Sequence, residues 1–245
     1  SPDTHTVSGR GELHLAILME TMRREGFEFQ VSRPRVITKI GPNGERLEPY
    51  EELMIDVPED YMGAVIEKLG PRRSEMTEMK NPGQGMVRMV FRIPARGLFG
   101  YRSEFLTDTR GTGVLNRIFH GHAPHKGPIQ GRRQGVLIST ESGVSVAYAI
   151  FNLEDRGKFF IGAGEQVYTG MILGEHSRDN DLEVNPLKGK KLTNVRASGT
   201  DEAVRLTPPI RMTLESAVEF IDDDELVEIT PLSVRIRKRF LSEIE

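Results

Sequence analysis

The chain has 245 residues and a net charge of −3, so no overall positive field draws it to polyanions, and any contact with nucleic acid must come from a local patch. It contains no cysteine, which excludes disulfides, thiolate metal sites and a cysteine nucleophile and agrees with a reducing, cytoplasmic compartment. Hydrophobic residues make up 37% of the chain, but no apolar run approaches the roughly 20 residues of a membrane span. We therefore expect two globular domains, with a fragment of a third, and no membrane contact.

The first 40 residues predict one helix and one strand. Residues 10–25, RGELHLAILMETMRRE, place apolar residues at helical spacing, and Gly26 follows where helices commonly end. FEFQVSRPRVITKI then predicts a strand, in which Pro34 indicates an edge or a break. Such a segment buries little by itself, so we expect residues 1–40 to be the C-terminal half of a truncated α+β unit that is completed by residues upstream.

Residues 48–120 predict a complete ferredoxin-like plait. Strands are indicated by the runs YEELMIDVP, RRSEMTEM, MVRMVFRIP and TGVLNRIFH, and helices by EDYMGAVIEKLG and GLFGYRSEFLTDT. The resulting order, β-α-β-β-α-β, is that of the split βαβ plait.

The region after the plait predicts a linker and a second domain. Residues 121–134 are rich in glycine, proline, histidine and basic residues, which is typical of a linker. Residues 135–245 predict a mainly β domain with one helix at 213–221; the strand candidates are GVLIST, GVSVAYAIF, KFFIGAG, QVYTGMILGEHS, LVEITP and SVRIRKRF. The predicted fold class is therefore α+β: a truncated half-plait, a ferredoxin-like plait and a mainly β C-terminal domain.

No pattern for catalysis or metal binding stands out, so we assign neither catalytic nor metal-binding residues. His120, His122 and His125 have a spacing that could suggest a metal site, but they lie among glycines and prolines, and we interpret them as exposed linker residues. The phosphate-loop and nucleophile-elbow motifs are both missing. We interpret the acidic run Asp222–Glu225 as a solvated turn.

Two groups of cations are the candidate binding residues. From residue 185 to residue 200, here called the basic segment, the chain has no acidic residue and carries four cations: Lys188, Lys190, Lys191 and Arg196. The interpretations are a loop that enters a crowded polyanion and a mobile basic loop without a partner.

A second candidate RNA-binding set lies on the last predicted strand: Arg235, Arg237 and Arg239 share one face, which could instead pair with Asp222–Glu225. The alternative function is a protein-interaction module that binds an acidic partner; a hydrolase has the least support.

Several stretches resemble known translational GTPases. VSGRGELHL resembles a signature in the third domain of the elongation factor G type, and EPYEELMIDVPEDYMGAVIEKLGPRRSEM and GLFGYRSEFLTDTRGTG resemble the fifth domain. The tail, HSRDNDLEVNPLKGKKLTNVRASGTDEAVRLTPPIRMTLESAVEFIDDDELVEITP, resembles the C-terminal domain of the BipA/TypA family.

The resemblance implies a C-terminal fragment of a bacterial, ribosome-associated GTPase of the stress-response and ribosome-assembly type. GTP and Mg²⁺ would bind in a missing GTPase domain, so we expect this chain to be a monomer without cofactor or enzymatic activity. Its partners would be the ribosome, ribosomal RNA and tRNA, with the chain docked near the factor-binding centre. The basic segment would reach the acceptor end of aminoacyl-site tRNA, and the implied RNA-binding residues are Lys188, Lys190, Lys191, Thr193, Asn194 and Arg196.

Overall fold

A computed structural model describes residues 4–129, 131–189 and 205–241. The chain divides into two units. The inserted unit is Pro34–Gly131, and the split unit is formed by Ser1–Arg33 together with Arg132–Glu245. Each unit has its own hydrophobic core. Within the described residues, no helix has the length and apolar character needed to cross a membrane.

The chain begins in the split unit and then passes through the whole inserted unit. Its first elements are α1 (Glu12–Arg24) and β1 (Phe29–Ser32). The inserted unit follows with β2 (Lys39–Ile40), β3 (Arg46–Pro58), α2 (Met62–Leu69), β4 (Glu75–Gly83), β5 (Met86–Pro94), α3 (Tyr101–Asp108) and β6 (Val114–Pro124). Its four long strands lie in the order β6-β3-β5-β4 with antiparallel neighbours, which confirms the predicted ferredoxin-like plait.

Alternation along β3 places the core of the inserted unit on one face of its sheet. Leu53, Ile55 and Val57 are fully buried, and the helices add Leu69 from α2 and Phe105 from α3 to the same cluster. Full burial of such side chains stabilises the fold by about 1.5–3 kcal/mol each, so the period-two pattern read from the sequence is the pattern that builds this core.

Strand β6 is longer than the sequence predicted. It pairs with β3 as far as Pro124, and its register shifts where Gly121 adopts a φ of 108°. His122 lies opposite Pro49 in this ladder. The first part of the predicted 121–134 linker is therefore strand, because β3 is long enough to offer partners beyond residue 120.

The rest of the split unit comes after residue 131. Its elements are β7 (Val136–Ser139), β8 (Gly143–Val144), α4 (Ala147–Leu153), β9 (Gly157–Phe159), β10 (Gln166–Val167), β11 (Met171–His176), β12 (Leu182–Val184), α5 (Leu214–Phe220), β13 (Glu225–Ile229) and β14 (Val234–Lys238). The main sheet has the order β1-β13-β14-β11-β7-β12, with β9 also paired to β11. A separate two-stranded sheet joins β8 and β10.

Both faces of the main sheet are apolar. In β11, Ile172 joins a cluster to which α1 and α5 contribute, whereas Met171 and Leu173 join a second cluster with Ile150 of α4. We call the second one the α4 cluster. Alternate residues of one strand therefore serve two cores, as expected for a sheet buried on both sides.

The N-terminal segment completes the split unit. Strand β1 pairs with the edge of β13 from Phe29 opposite Ile229 to Ser32 opposite Leu226, and Met19 of α1 is buried in the core. The sequence assigned residues 1–40 to a separate unit, but the structure places the boundary after Arg33. A lone helix and a four-residue strand have no sheet of their own within this chain, and the β13 edge supplies one.

Helix α4 lies where the sequence predicted a strand. The run GVSVAYAIF alternates, but the structure keeps only Gly143–Val144 as strand and turns Ala147–Leu153 into helix. Ala149 and Ile150 are the buried residues of that helix. A short apolar run is compatible with the two-residue period of a strand and with the 3.6-residue period of a helix. Contacts with the rest of the fold therefore decide which of the two forms.

Candidate nucleic-acid interface

The basic segment leaves the main sheet at the end of β12. Val184, the last residue of that strand, is buried. The Val146 N–H then donates to the Pro186 carbonyl at 3.0 Å, and the Leu187 N–H donates to the Asn185 side chain at 2.9 Å. The Leu187 side chain packs against the α4 cluster. As far as Leu187 the segment is therefore an integral part of the fold.

After the basic segment, the chain returns to the same cluster. Leu206 packs against the α4 cluster, and the Thr207 N–H donates to a carboxylate oxygen of Glu154 at 2.6 Å. Because Leu187 and Leu206 contact one cluster, the two ends of the intervening connection, residues 188–205, are held together by the core.

The structure describes one of the six residues assigned to RNA binding. Lys188 is exposed and makes no hydrogen bond or ion pair with other described residues. The remaining five lie outside the described residues: Lys190, Lys191, Thr193, Asn194 and Arg196.

The three arginines that the sequence placed on one face have different surroundings. Arg235 and Arg237 are alternate residues of β14, and Arg239 follows the strand. The Nε atom of Arg237 lies 3.0 Å from a carboxylate oxygen of Glu228, and its Nη2 donates to the Gln30 side-chain oxygen at 3.0 Å. Arg239 is exposed at the end of the strand. Arg235 lines a groove and makes no hydrogen bond or ion pair with the described side chains. Arg237 is thus held by the protein itself, whereas Arg235 and Arg239 are accessible to a ligand.

The acidic run Asp222–Glu225 forms the predicted turn between α5 and β13, in which Asp223 and Asp224 are exposed, but its last residue is not solvated. Glu225 is fully buried, and the Arg132 guanidinium donates to both of its carboxylate oxygens. The same guanidinium lies 4.4 Å from the centroid of the Phe220 ring. Arg132 is far from the run in sequence, so no local pattern could indicate this pair.

Lys238 extends the ion pairs around this turn. Its ammonium lies 2.6 Å from Asp181, 2.9 Å from Asp224 and 3.2 Å from Glu225. Burial is the largest single influence and would lower the pKa of Lys238 and raise that of Asp181. The hydrogen bonds and opposite charges around each group together outweigh burial, so the pKa of Lys238 is raised and that of Asp181 is lowered. Both groups are charged at neutral pH, and the acidic run is paired with Lys238, Arg132 and Arg33.

The three histidines do not converge. His122 packs its ring against Phe119, with centroids 5.5 Å apart, and the Nδ1 atom of His125 accepts a hydrogen bond from the Gly127 N–H at 3.0 Å. His120 is exposed in β6. Within the described residues, no group of three or more histidine, aspartate or glutamate side chains could hold a metal ion.

Comparison with known proteins identifies related domains for both parts of this architecture. A family model described as "Elongation factor G C-terminus" matches residues 45–133, and one described as "TypA/BipA C-terminal domain" matches residues 134–243. Proteins named "Large ribosomal subunit assembly factor BipA" are 58% identical in Escherichia coli K12, over 98% of this chain, and 51% identical in Bacillus subtilis 168, over all of it. The chain belongs to the TypA/BipA family. It spans about 40% of the length of each of these TypA/BipA relatives.

Among solved structures, a Thermus thermophilus protein aligns with a TM-score of 0.32 at 23% identity, covering 34% of this chain and 12% of the other. That likeness is too weak to bear on the TypA/BipA fold. The two matched regions meet at residues 133 and 134, next to the boundary between the inserted unit and the second part of the split unit. The match to the C-terminal domain does not include α1 and β1, which complete its sheet and core in this structure.

Proposed function

We propose that this TypA/BipA chain is the ribosome- and RNA-binding C-terminal part of a translational GTPase. It docks near the factor-binding centre of the ribosome and extends the basic segment toward the acceptor end of the aminoacyl-site tRNA. GTP hydrolysis with Mg²⁺ belongs, in this proposal, to a part of the longer relatives outside the matched 40%, and this chain acts by binding alone.

The observation that carries the proposal is the way the basic segment is presented. It is free of acidic residues, its first cation, Lys188, is exposed, and the α4 cluster holds the chain at Leu187, just before that cation, and again at Leu206. A cationic connection with fixed ends places positive charge at one position without requiring the whole protein to be basic. The relatives named as large ribosomal subunit assembly factors support a ribosomal destination.

Co-sedimentation with purified ribosomes at graded salt tests the proposal. Changing Lys188, Lys190 and Lys191 together to alanine removes three cations from the basic segment. Because each phosphate contact contributes about 0.7–0.9 to the slope of log affinity against log salt, the slope should become shallower by about 2–3. The matched control, K39A/K80A/K158A, removes three lysines that are exposed elsewhere and should leave the slope almost unchanged.

Equal slopes for both triple variants would contradict the assignment of the basic segment. Nuclease treatment separates the two classes of partner: RNA-dependent association is lost when the RNA is digested, whereas an acidic protein partner stays bound. Retention after digestion would favour the protein-interaction module instead.

A further inference from the structure

A groove of about 380 Å³ opens beside the first residues of β14. Its floor is apolar and buried, with Met171, Ile172 and Ile236 each at most 4% exposed. Phe160 also lines it, and so does Leu232, which is 96% exposed. The volume lies near the lower end of the roughly 300–1,000 Å³ typical of ligand pockets, so it suits one small planar group rather than a helix.

The rim of the groove carries two cations and one anion. Arg211 Nη2 lies 2.6 Å from a carboxylate oxygen of Glu165, which also accepts the Gly162 N–H at 2.8 Å. Burial alone would raise the pKa of Glu165, but these hydrogen bonds outweigh burial and lower it, so the carboxyl is ionised at neutral pH. Arg211 is thereby neutralised locally. Glu165 also attracts Arg235 from a greater distance, but Arg235 forms no ion pair within the described residues and can meet an anion.

The chain that follows the connection 188–205 also lines the groove. The chain comes back through residues 205–213, and the Ile210 N–H donates to the Phe159 carbonyl at 2.8 Å. The next two residues, Arg211 and Met212, line the groove. The groove is therefore lined in part by residues that follow this connection directly along the chain.

We infer that the groove receives one unstacked nucleotide of single-stranded RNA. The base lies against the apolar lining, including Phe160 and Leu232, and the adjoining phosphate pairs with Arg235. The inference rests on the proposed function, because it requires that RNA reaches the basic segment. It adds a second contact of a different kind, which depends on the base as well as on charge.

The combination of groups favours a nucleotide over an acidic peptide. Every base has an apolar face that stacks on aromatic and aliphatic side chains, and a guanidinium offers paired donors that match phosphate oxygens. A carboxylate side chain would satisfy Arg235 but would leave the apolar side chains of Phe160 and Leu232 without a contact. Single-stranded RNA is specified because a paired base keeps its faces inside the helix.

Fluorescence anisotropy with a labelled single-stranded RNA of about 12 nucleotides, bound to the full chain, tests the inference. A second oligonucleotide of the same length has abasic central positions, so it keeps the charge and loses the bases. We expect the abasic RNA to bind several-fold more weakly. R235A should weaken binding of the intact RNA several-fold and make the salt slope shallower by about 1, and L232D should weaken it roughly tenfold.

The matched control is R178A, which removes an arginine that is exposed in the same unit and does not line the groove; its affinity should stay close to that of the parent. Equal binding of intact and abasic RNA to the parent overturns the inference, and so does displacement of the RNA by polyglutamate as readily as by unlabelled RNA. If K188A/K190A/K191A weakens binding and R235A does not, the groove assignment fails and the proposed function stands. If neither variant has an effect, both fail.

Discussion

Arg132 and Glu225 form a paired, two-point contact at the place where the chain re-enters the split unit. Nη2 of Arg132 donates to one carboxylate oxygen at 2.8 Å and Nη1 donates to the other at 3.0 Å, and the two side chains are 13% and 0% exposed. Arg33, the last residue before the inserted unit, pairs with Asp222 of the same acidic run at 2.7 Å. The run therefore anchors both residues at which the chain crosses between the units.

Removing the charge of Glu225 should destabilise the split unit. E225Q keeps the shape of the side chain but removes the charge that pairs directly with the buried Arg132 guanidinium, so the free energy of unfolding should fall by about 3 kcal/mol. Urea denaturation followed by circular dichroism measures this. E141Q, at an exposed glutamate, is the control and should change the stability by less than about 0.5 kcal/mol. A loss for E225Q as small as that of the control would show that the pair adds no net stability.

Acid should weaken the inserted unit through Glu48. This carboxyl is fully buried and accepts hydrogen bonds from the Arg96 guanidinium and from the Lys126 N–H at 2.9 Å. Burial alone would raise its pKa, but these hydrogen bonds outweigh burial and lower the pKa below its usual value of 4.5. A lowered pKa in the folded state stabilises the protein above that value, and the contribution is lost as the pH falls through the folded pKa.

The stability difference between the parent and E48Q should therefore be largest at neutral pH and shrink as the pH falls below about 4.5. Urea midpoints measured between neutrality and acid pH provide the test. E67Q, at an exposed glutamate of α2, is the control, and its stability should differ from that of the parent by the same small amount at every pH. A constant difference for E48Q would contradict the role of its ion pair.

The sequence predicted what depends on local pattern and missed what depends on distant partners. Alternation in β3 and β5 predicted the plait, because each strand has one buried face. The burial of Glu225 could not be predicted, since it depends on Arg132. The division of the β14 arginines likewise depends on Gln30, a residue of a strand some 200 positions earlier.

The same reasoning applies to the candidate site. Composition alone identified the basic segment, because an acid-free run is visible in the sequence. The groove has no sequence signal, since it combines Phe160, Arg211 and Arg235 from three separate parts of the chain.

The pairing of β1 with β13 should allow a specific disulfide. Ser32 lies opposite Leu226 in the ladder, and directly opposite residues have Cβ atoms about 4.5–5.5 Å apart, close enough for a bridge after a small adjustment. Because the chain has no cysteine, S32C/L226C has no competing thiol. Mild oxidation should produce the bridge, detected as faster migration in non-reducing electrophoresis. The control S32C/E228C is displaced by two residues and should form it poorly; equal yields would contradict this register.

Gly143 should control the anchoring of the basic segment without changing any charge. Its φ is +154°, a value that side-chain-bearing residues adopt rarely, and a Cβ there would lie 2.5 Å from Leu187 Cδ2. G143A should therefore strain the backbone and push Leu187 out of the α4 cluster, which lowers the free energy of unfolding by about 1–3 kcal/mol and weakens co-sedimentation with ribosomes. G189A is the matched control, because a Cβ at Gly189 meets no atom within 4 Å. If G143A destabilised the fold but bound ribosomes as tightly as G189A, anchoring at Leu187 would not be needed to position the basic segment.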